Sequence, residues 1–122
     1  MIKKVQKVWG SEEWIVNNDL YCGKILRLNQ GYRGSTHYHE KKHETFYVMS
    51  GTVLLELGND LKRKVLNVGD IQTIPPMLKH RFTPLEQSVI IEFSTRHEDS
   101  DTYRESQSEQ ISLAKLLQVI VK

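Results

Sequence analysis

The sequence predicts an all-β domain, and three observations support this fold class. Short apolar segments alternate with turn residues at intervals of roughly 8–12 residues, the spacing of a β-sandwich or barrel. All seven glycines and all three prolines of the 122-residue chain lie before residue 85, between those segments. Apolar and polar residues alternate within segments such as 20–28, as in a strand with one buried face. A chain of this length forms one domain whose core needs no disulfide.

Turn residues mark most ends of the predicted strands. Ser50 and Gly51 join two of them as a tight hairpin, because glycine adopts positive φ without strain. Pro75 and Pro76 end another, since proline cannot donate to a β-ladder. The eight predicted strands are Glu13–Asn18, Leu20–Leu28, Thr45–Met49, Thr52–Leu57, Lys62–Asn67, Ile71–Ile74, His80–Thr83 and Ser88–Ser94.

The C-terminal part of the chain has a different pattern. Between residues 96 and 110 the only apolar residue is Tyr103, so this segment is predicted to be a loop or an arm on the surface. Ser106 and Glu109 then have the spacing of a capping box. They precede four residues that share one helical face, namely Leu113, Leu116, Leu117 and Ile120.

These patterns predict a barrel over residues 1–105 and a short helical tail over 106–122. The end of the tail, 119–121, would also suit a strand. The apolar stripe of the helix either covers the core of the domain or binds a partner.

The balance of charge excludes several classes of partner. Seventeen Lys and Arg offset fifteen Asp and Glu, which leaves +2 and no run of like charge. We therefore expect neither nucleic acid nor membrane as a partner. No apolar stretch is long enough to span a bilayer, and the first residues lack a secretory signal. Cys22 is the only cysteine and cannot form an internal disulfide. A cytoplasmic protein is the expectation.

Three of the five histidines lie within seven residues and are followed directly by Glu44. His37 and His39 are two apart, so in a strand they project from the same face while Tyr38 points away. Glu44 shares the face of Phe46 in the next strand, where an unpaired buried carboxylate would be costly. A divalent cation is the simplest compensation, and imidazole with carboxylate suits Mn, Fe, Co, Ni or Zn. His43 is expected to face outward.

These residues resemble the cupin superfamily. Gly31, His37, His39, Glu44 and Gly51 match its first signature motif at every defined position. A second motif runs from Gly69 through Pro75 to His80, with Met77 at a position that is usually glycine and Pro84 at its terminal asparagine.

The resemblance implies a double-stranded β-helix, or jelly-roll barrel. It also implies one divalent transition metal (Mn, Zn, Fe, Ni or Co) held by four ligands, which are His37, His39, Glu44 and His80. A barrel of this kind holds one small molecule.

A narrower resemblance is to the mannose-6-phosphate isomerase type II domain. It is carried by the sequences at 8–10, 79–82 and 90–95, and by Asp99, Asp101, Tyr103 and Arg104. The resemblance implies a small-molecule ligand that is a sugar or sugar phosphate. It implies metal-assisted aldose–ketose isomerisation, in which the metal polarises the substrate carbonyl.

Isomerisation also needs a group that moves a proton between neighbouring carbons, and Glu92 is the candidate by resemblance. Lys24, Arg27 and Arg81 are candidates for meeting a phosphate. Two alternatives remain open: a non-catalytic cupin that binds a small molecule or metal, and an Fe-dependent dioxygenase.

A homodimer is expected, because aromatic-rich surface suits an interface. Trp9 and Trp14 are the candidate interface residues together with the helical stripe. The alternative for both tryptophans is that they close the open end of the barrel.

Overall fold

The computed structural model describes residues 2–121 of the chain, and thirteen short strands dominate it. The strands are β1 Lys3–Lys7, β2 Gly10–Asn17, β3 Cys22–Leu28, β4 Tyr32–Arg33, β5 His37–His39, β6 Glu44–Ser50, β7 Val53–Leu57, β8 Lys62–Leu66, β9 Ile71–Ile74, β10 His80–Pro84, β11 Ser88–Ser94, β12 Thr102–Arg104 and β13 Glu109–Gln110. A 3₁₀ turn at Asp99–Asp101 precedes β12, and one helix, α1, spans Leu113–Val121.

Two antiparallel sheets form the barrel. The larger has the order β1-β2-β3-β11-β6-β9, and the smaller has the order β12-β5-β10-β7-β8. The short strands β4 and β13 pair with each other beside them. Neighbours in the sheets are often distant in the chain, which is the jelly-roll arrangement that the cupin resemblance implies. The predicted all-β fold class is therefore confirmed.

The core lies between the two sheets and is built by strand alternation. On β3, Leu26 and Leu28 point inward together with Cys22 and Lys24, while the residues between them face out. Trp9 is buried and packs edge-on against Phe82, with ring centroids 5.3 Å apart. The core cluster comprises Trp9, Leu26, Leu28, Phe46, Val48, Val53, Leu55, Leu66, Ile74, Phe82 and Ile90.

The two tryptophans therefore differ. Trp9 is buried in the core, which excludes it from a surface interface. Trp14 is half-buried and stacks edge-on against His97, with ring centroids 5.1 Å apart. The ammonium of Lys24 lies over its ring at 4.2 Å from the centroid.

The C-terminal segment differs from its prediction in two ways. The helix begins at Leu113 rather than just after Ser106, because the Ser106 hydroxyl accepts a bond from the Thr36 N–H instead of capping a helix. Glu109 lies in β13 and pairs with Arg33. Of the predicted apolar stripe only Leu116 is buried; the exposed members are Leu113, Leu117 and Ile120.

Within residues 2–121, no helix has the length and apolarity that crossing a membrane requires.

Candidate functional site

Two neighbouring strands bring three histidines together inside the barrel. His37 and His39 lie two apart on β5 and share its inner face, and His80 begins β10 directly opposite His37. One nitrogen from each ring lies within 4.8 Å of the others. Tyr38 points away and stacks on Tyr103, as the strand pattern predicts. The three imidazoles thus form one compact set of donors.

Each imidazole is oriented through its Nδ1 atom. In all three rings Nδ1 lies 3.0–3.1 Å from a backbone carbonyl oxygen, and the three carbonyls belong to Ser35, Asp101 and Leu78. A carbonyl only accepts hydrogen bonds, so Nδ1 carries the proton and Nε2 keeps a free lone pair. This is the arrangement that orients histidines which ligate metals.

Glu44 enters the same space from the other sheet, at the start of β6. Its Oε2 atom lies 3.3 Å from Nε2 of His39 and 3.4 Å from Nε2 of His80. Glu44 Oε2 and His80 Nε2 are buried and have no hydrogen-bond partner among the described residues. Buried polar atoms without a partner are costly, and a cation between them would satisfy both.

The protonation states suit such a cation. Burial alone would raise the pKa of Glu44, but His39, Lys42 and His80 outweigh it and hold the pKa below the ordinary value. Burial lowers the pKa of His37 and of His80. His37 and His80 therefore offer neutral imidazoles and Glu44 an ionised carboxylate, the forms that bind metal. Three nitrogens and a carboxylate oxygen fit Mn, Fe, Co, Ni or Zn.

A buried ion pair lies directly beside these residues. Lys42 is only 3% exposed, and its Nζ atom lies 2.7 Å from Oε2 of Glu92 and 3.6 Å from Oε1 of Glu44. Burial would lower the pKa of Lys42, but Glu92 and Glu44 raise it, so the ammonium stays charged. Glu92 faces inward from β11 and also accepts a bond from the Ser94 hydroxyl at 2.8 Å.

Lys42 also contacts the imidazole of His97. Nζ of Lys42 lies 2.9 Å from Nδ1 of His97, whose Nε2 lies 2.9 Å from Oδ1 of Asp99. Burial and the charges of Lys42 and Lys24 lower the pKa of His97 to about 4. The imidazole is therefore neutral at pH 7, accepts from Lys42 and donates to Asp99.

One cavity of about 80 Å³ is lined by the charged and imidazole groups described above apart from His80, which is fully buried behind it. Lys7, Lys24 and Arg104 add positive charge to its wall, and Glu12 adds negative charge. Arg104 lies on β12 directly opposite His37, so both side chains belong to the same side of the sheet. Glu12 pairs with Lys24 at 3.2 Å. Within residues 2–121, no acidic group forms an ion pair with Lys7 or Arg104.

The loop between the two halves of the first motif is held by Asp101. Its carboxylate accepts hydrogen bonds from the backbone N–H groups of Glu40, Lys41 and Lys42 at 2.9–3.2 Å. Its own carbonyl accepts the bond from His39. Asp101 thus fixes both a histidine of the cluster and the lysine beside it.

The second motif forms its turn with a methionine. Met77 has φ +73°, the left-handed conformation that usually requires glycine. Its N–H donates to the carbonyl of His39 at 2.6 Å, which ties the turn before His80 to β5. Methionine in place of the usual glycine therefore keeps the geometry of the turn but adds backbone strain.

The sequence-predicted site residues have different outcomes. The four predicted ligands His37, His39, Glu44 and His80 lie together, Glu92 faces the cavity, and His43 is exposed as expected. Of the three candidates for a phosphate, only Lys24 lines the cavity. Arg27 pairs with Glu13 outside the barrel, and Arg81 donates to the carbonyl of Gly34.

Several residues of the cavity escaped the sequence reasoning. Lys42 lies in a polar loop, and His97 lies in a segment predicted to be on the surface. Asp99 and Arg104 contribute to the narrower resemblance but are not predicted as site residues. Only the structure places Arg104 at the cavity, because the strand β12 that carries it pairs with the His-Tyr-His strand.

More than half of the chain matches a known protein family. A family model described as Cupin domain matches residues 24–92, which is more than half of the sequence. Among curated proteins, no sequence matches this chain.

Several solved structures share the fold. KdgF from Halomonas sp. is 21% identical, with 82% of this chain and 89% of KdgF covered and a TM-score of 0.71. A Streptomyces PAC13 variant with uridine is 13% identical, with 91% and 87% covered and a TM-score of 0.75. The capsular polysaccharide assembling protein CapF from Staphylococcus aureus is 16% identical, with 85% of this chain but 34% of CapF covered and a TM-score of 0.70.

Proposed function

This chain belongs to the cupin family, and on that premise we propose that it binds one divalent transition metal and interconverts the aldose and ketose forms of a sugar phosphate. The metal ligands in this proposal are His37, His39, Glu44 and His80. Bound there, the ion supplies a Lewis acid that polarises a carbonyl oxygen of the substrate. The metal, its four ligands and the reaction are parts of the proposal that experiments must test.

One observation carries the choice of isomerisation. Glu92 is a buried carboxylate that faces the cavity beside the histidine cluster, and Lys42 holds its Oε2 atom at 2.7 Å. A carboxylate that is oriented and kept out of bulk water is suited to accept a proton from one substrate carbon and return it to the next. No oxidant or second substrate is needed, because the proton is only moved.

The charges of the cavity wall support an anionic sugar. Four basic side chains (Lys7, Lys24, Lys42 and Arg104) and four acidic ones (Glu12, Glu44, Glu92 and Asp99) line the cavity. The four positive and four negative charges cancel, and the lowered pKa of His97 keeps that imidazole neutral. A divalent ion therefore leaves the loaded cavity with two positive charges, which favours an anion.

Two of the basic groups are available to a phosphate. Lys24 and Lys42 already have acidic partners, whereas Lys7 and Arg104 have none within residues 2–121. Arg104 is exposed and lies opposite His37, so it can meet a phosphate while the sugar carbonyl reaches the histidine cluster. The description of CapF as a capsular polysaccharide assembling protein agrees with a sugar ligand.

Hydrogen exchange at the sugar C2 atom tests the reaction. Metal-loaded protein is incubated with aldose and ketose phosphates in D₂O, and the C2–H signal is followed by proton NMR. We expect exchange with at least one sugar phosphate, and loss of that exchange in Glu92→Gln with the metal content unchanged. Glu86→Gln is the control, because Glu86 is an exposed residue that bonds the Thr52 hydroxyl.

Three results would contradict the proposal. Binding without exchange would indicate a non-catalytic cupin, and oxygen consumption with iron would indicate a dioxygenase. Equal exchange in Glu92→Gln and wild type would remove Glu92 from the reaction.

A further inference from the structure

Two carboxylates face the interior of the barrel as diagonal neighbours. Glu44 on β6 lies opposite Ser94 on β11, and Glu92 precedes Ser94 by two residues, so both acidic side chains project from the inner face of the larger sheet. Diagonal neighbours on one face of a sheet lie about 7–8 Å apart, within reach of long side chains. Glu44 is 2% exposed and Glu92 4%. A second buried carboxylate therefore lies beside the proposed metal ligand Glu44.

A metal held by the histidine cluster would attract both of these carboxylates. Carboxylates bind the same divalent ions as imidazole does, and a buried negative charge is costly unless a positive charge compensates it. The proposed function nevertheless requires Glu92 to stay off the metal, because a carboxylate that ligates the ion is a weaker base. Another positive group must therefore hold Glu92.

The ammonium of Lys42 bridges the two carboxylates. Its Nζ atom lies 2.7 Å from Oε2 of Glu92 and 3.6 Å from Oε1 of Glu44. The other oxygen of Glu44, Oε2, is the one that approaches His39 and His80. The ammonium and the histidine cluster thus use different oxygens of Glu44, and one oxygen remains for a metal.

Lys42 is itself held in place. Its backbone N–H donates to the Asp101 carboxylate at 3.0 Å, and its Nζ atom lies 2.9 Å from Nδ1 of His97. On the other side of the ion pair, Oε2 of Glu92 also accepts from the Ser94 hydroxyl at 2.8 Å. Within residues 2–121, Oε1 of Glu92 accepts no hydrogen bond. These contacts fix one oxygen of Glu92 and leave the other free for a substrate.

We propose that Lys42 is a positioning residue that keeps Glu92 out of the coordination sphere of the metal, so that Glu92 stays free to move a proton. The inference rests on the metal site of the proposed function. Lys42 has this effect at a cost in metal affinity, because a buried positive charge beside Glu44 repels a divalent cation. A neutral side chain in place of Lys42 therefore tightens metal binding, whereas general damage to the site would weaken it.

Binding of Co²⁺ to the full, untagged chain tests this inference, since the visible absorption of the bound ion reports its coordination geometry. We expect Lys42→Met to lower the Co²⁺ dissociation constant at least about 10-fold. We also expect it to change the absorption spectrum, because Glu92 then becomes a ligand. The double variant Lys42→Met/Glu92→Gln should return the spectrum to that of wild type, since the uncharged amide is a weaker ligand.

Lys41→Met is the matched control. Lys41 is the exposed neighbour of Lys42, so the same loss of charge there should change neither the affinity nor the spectrum. A folded Lys42→Met protein with unchanged or weaker Co²⁺ affinity would overturn the inference. A tighter affinity and a new spectrum in Lys41→Met would overturn it as well, because the effect would then not depend on the bridging position.

Glu92→Gln keeps the inference falsifiable if Lys42→Met does not fold. With Lys42 present, Glu92→Gln should leave the wild-type Co²⁺ spectrum unchanged, and a changed spectrum would overturn the inference by showing that Glu92 already ligates the metal. A wild type that binds no Co²⁺ would refute the proposed metal site and the inference with it. Absence of isomerisation alongside the expected Co²⁺ results would refute only the proposed reaction and leave the role of Lys42 supported.

Discussion

His39 and Asp101 are 62 positions apart, yet Nδ1 of the imidazole lies 3.0 Å from the Asp101 carbonyl oxygen. The Asp101 carboxylate meanwhile accepts from the N–H groups of residues 40–42. A single residue from the C-terminal segment therefore sets the ring orientation of one proposed ligand and the shape of the loop that carries Lys42. The first motif is complete in sequence, but its geometry depends on residues outside it.

Asp101→Asn should weaken metal binding while leaving the barrel folded. The amide nitrogen cannot accept, so at least one of the backbone N–H groups loses its partner and the loop loosens. Loss of a group that orients a metal ligand lowers metal affinity by about 10–100-fold. Titration calorimetry with Zn²⁺ or Mn²⁺ measures the metal affinity of each variant. Asp60→Asn, at an exposed turn, is the control, and equal affinities in both variants would contradict the role given to Asp101.

His39→Ala should remove most of the metal, whereas His43→Ala should remove none. Nε2 of His39 points into the cluster beside Glu44, while His43 is exposed. Elemental analysis of untagged protein prepared without chelators gives the metal content, expected at about one ion per chain for wild type. Similar losses in the two variants would mean that the proposed ligand set is wrong.

Stability of the metal-free protein should fall as the pH drops from about 6.5 toward 4. The pKa of His97 is lowered to about 4 in the folded state against an ordinary 6.5, and burial also lowers the pKa of His37 and His80. Between the two values the unfolded chain binds more protons, so protonation favours unfolding. The lowered pKa of Glu44 adds a loss only below 4.5.

Calorimetry at pH 7 and pH 5 checks this dependence. We expect a melting temperature several degrees lower at pH 5, and a smaller difference in His97→Gln, which lacks the titrating ring. A melting temperature that rises toward pH 5 would contradict the neutral state assigned to these imidazoles.

Met77→Gly should stabilise the protein. Met77 has φ +73° and is 58% exposed, so glycine relieves the strain and sacrifices little buried surface. The expected gain is about 1 kcal/mol in free energy of unfolding, or roughly 3–6 °C in melting temperature. Met49→Gly is the control, because Met49 is equally exposed in a regular strand and its substitution should destabilise. A loss of stability in Met77→Gly would show that the side chain contributes more than the strain costs.

The sequence was most informative where strands have one buried face. Ile71–Ile74 and Ser88–Ser94 have the bounds that alternation predicted, and the four proposed ligands lie together as expected. The short strand β12 was missed because it has three residues and lies at a sheet edge, where no periodic apolar pattern is needed. The predicted helix start at Ser106 failed because a tertiary contact uses the same hydroxyl.

Tertiary contacts also explain why the sequence did not predict some of the site residues. The local sequence pattern does not show which loop will donate its N–H groups to a carboxylate, or which lysine will be buried. Lys42 and Asp101 acquire their roles only when the C-terminal segment crosses the end of β5, a contact between residues about sixty positions apart.

The proposed ligands come from both sheets: His37, His39 and His80 from the smaller one, and Glu44 from the larger. Separation of the two sheets would therefore require at least one coordinate bond to break. In the metal-loaded protein, β5 and β6 would therefore unfold together rather than independently. Amide hydrogens of the two strands would then exchange with solvent at one shared rate, slower than in the metal-free barrel. Bound metal would thus set the native-state lifetime of the barrel as well as its chemistry.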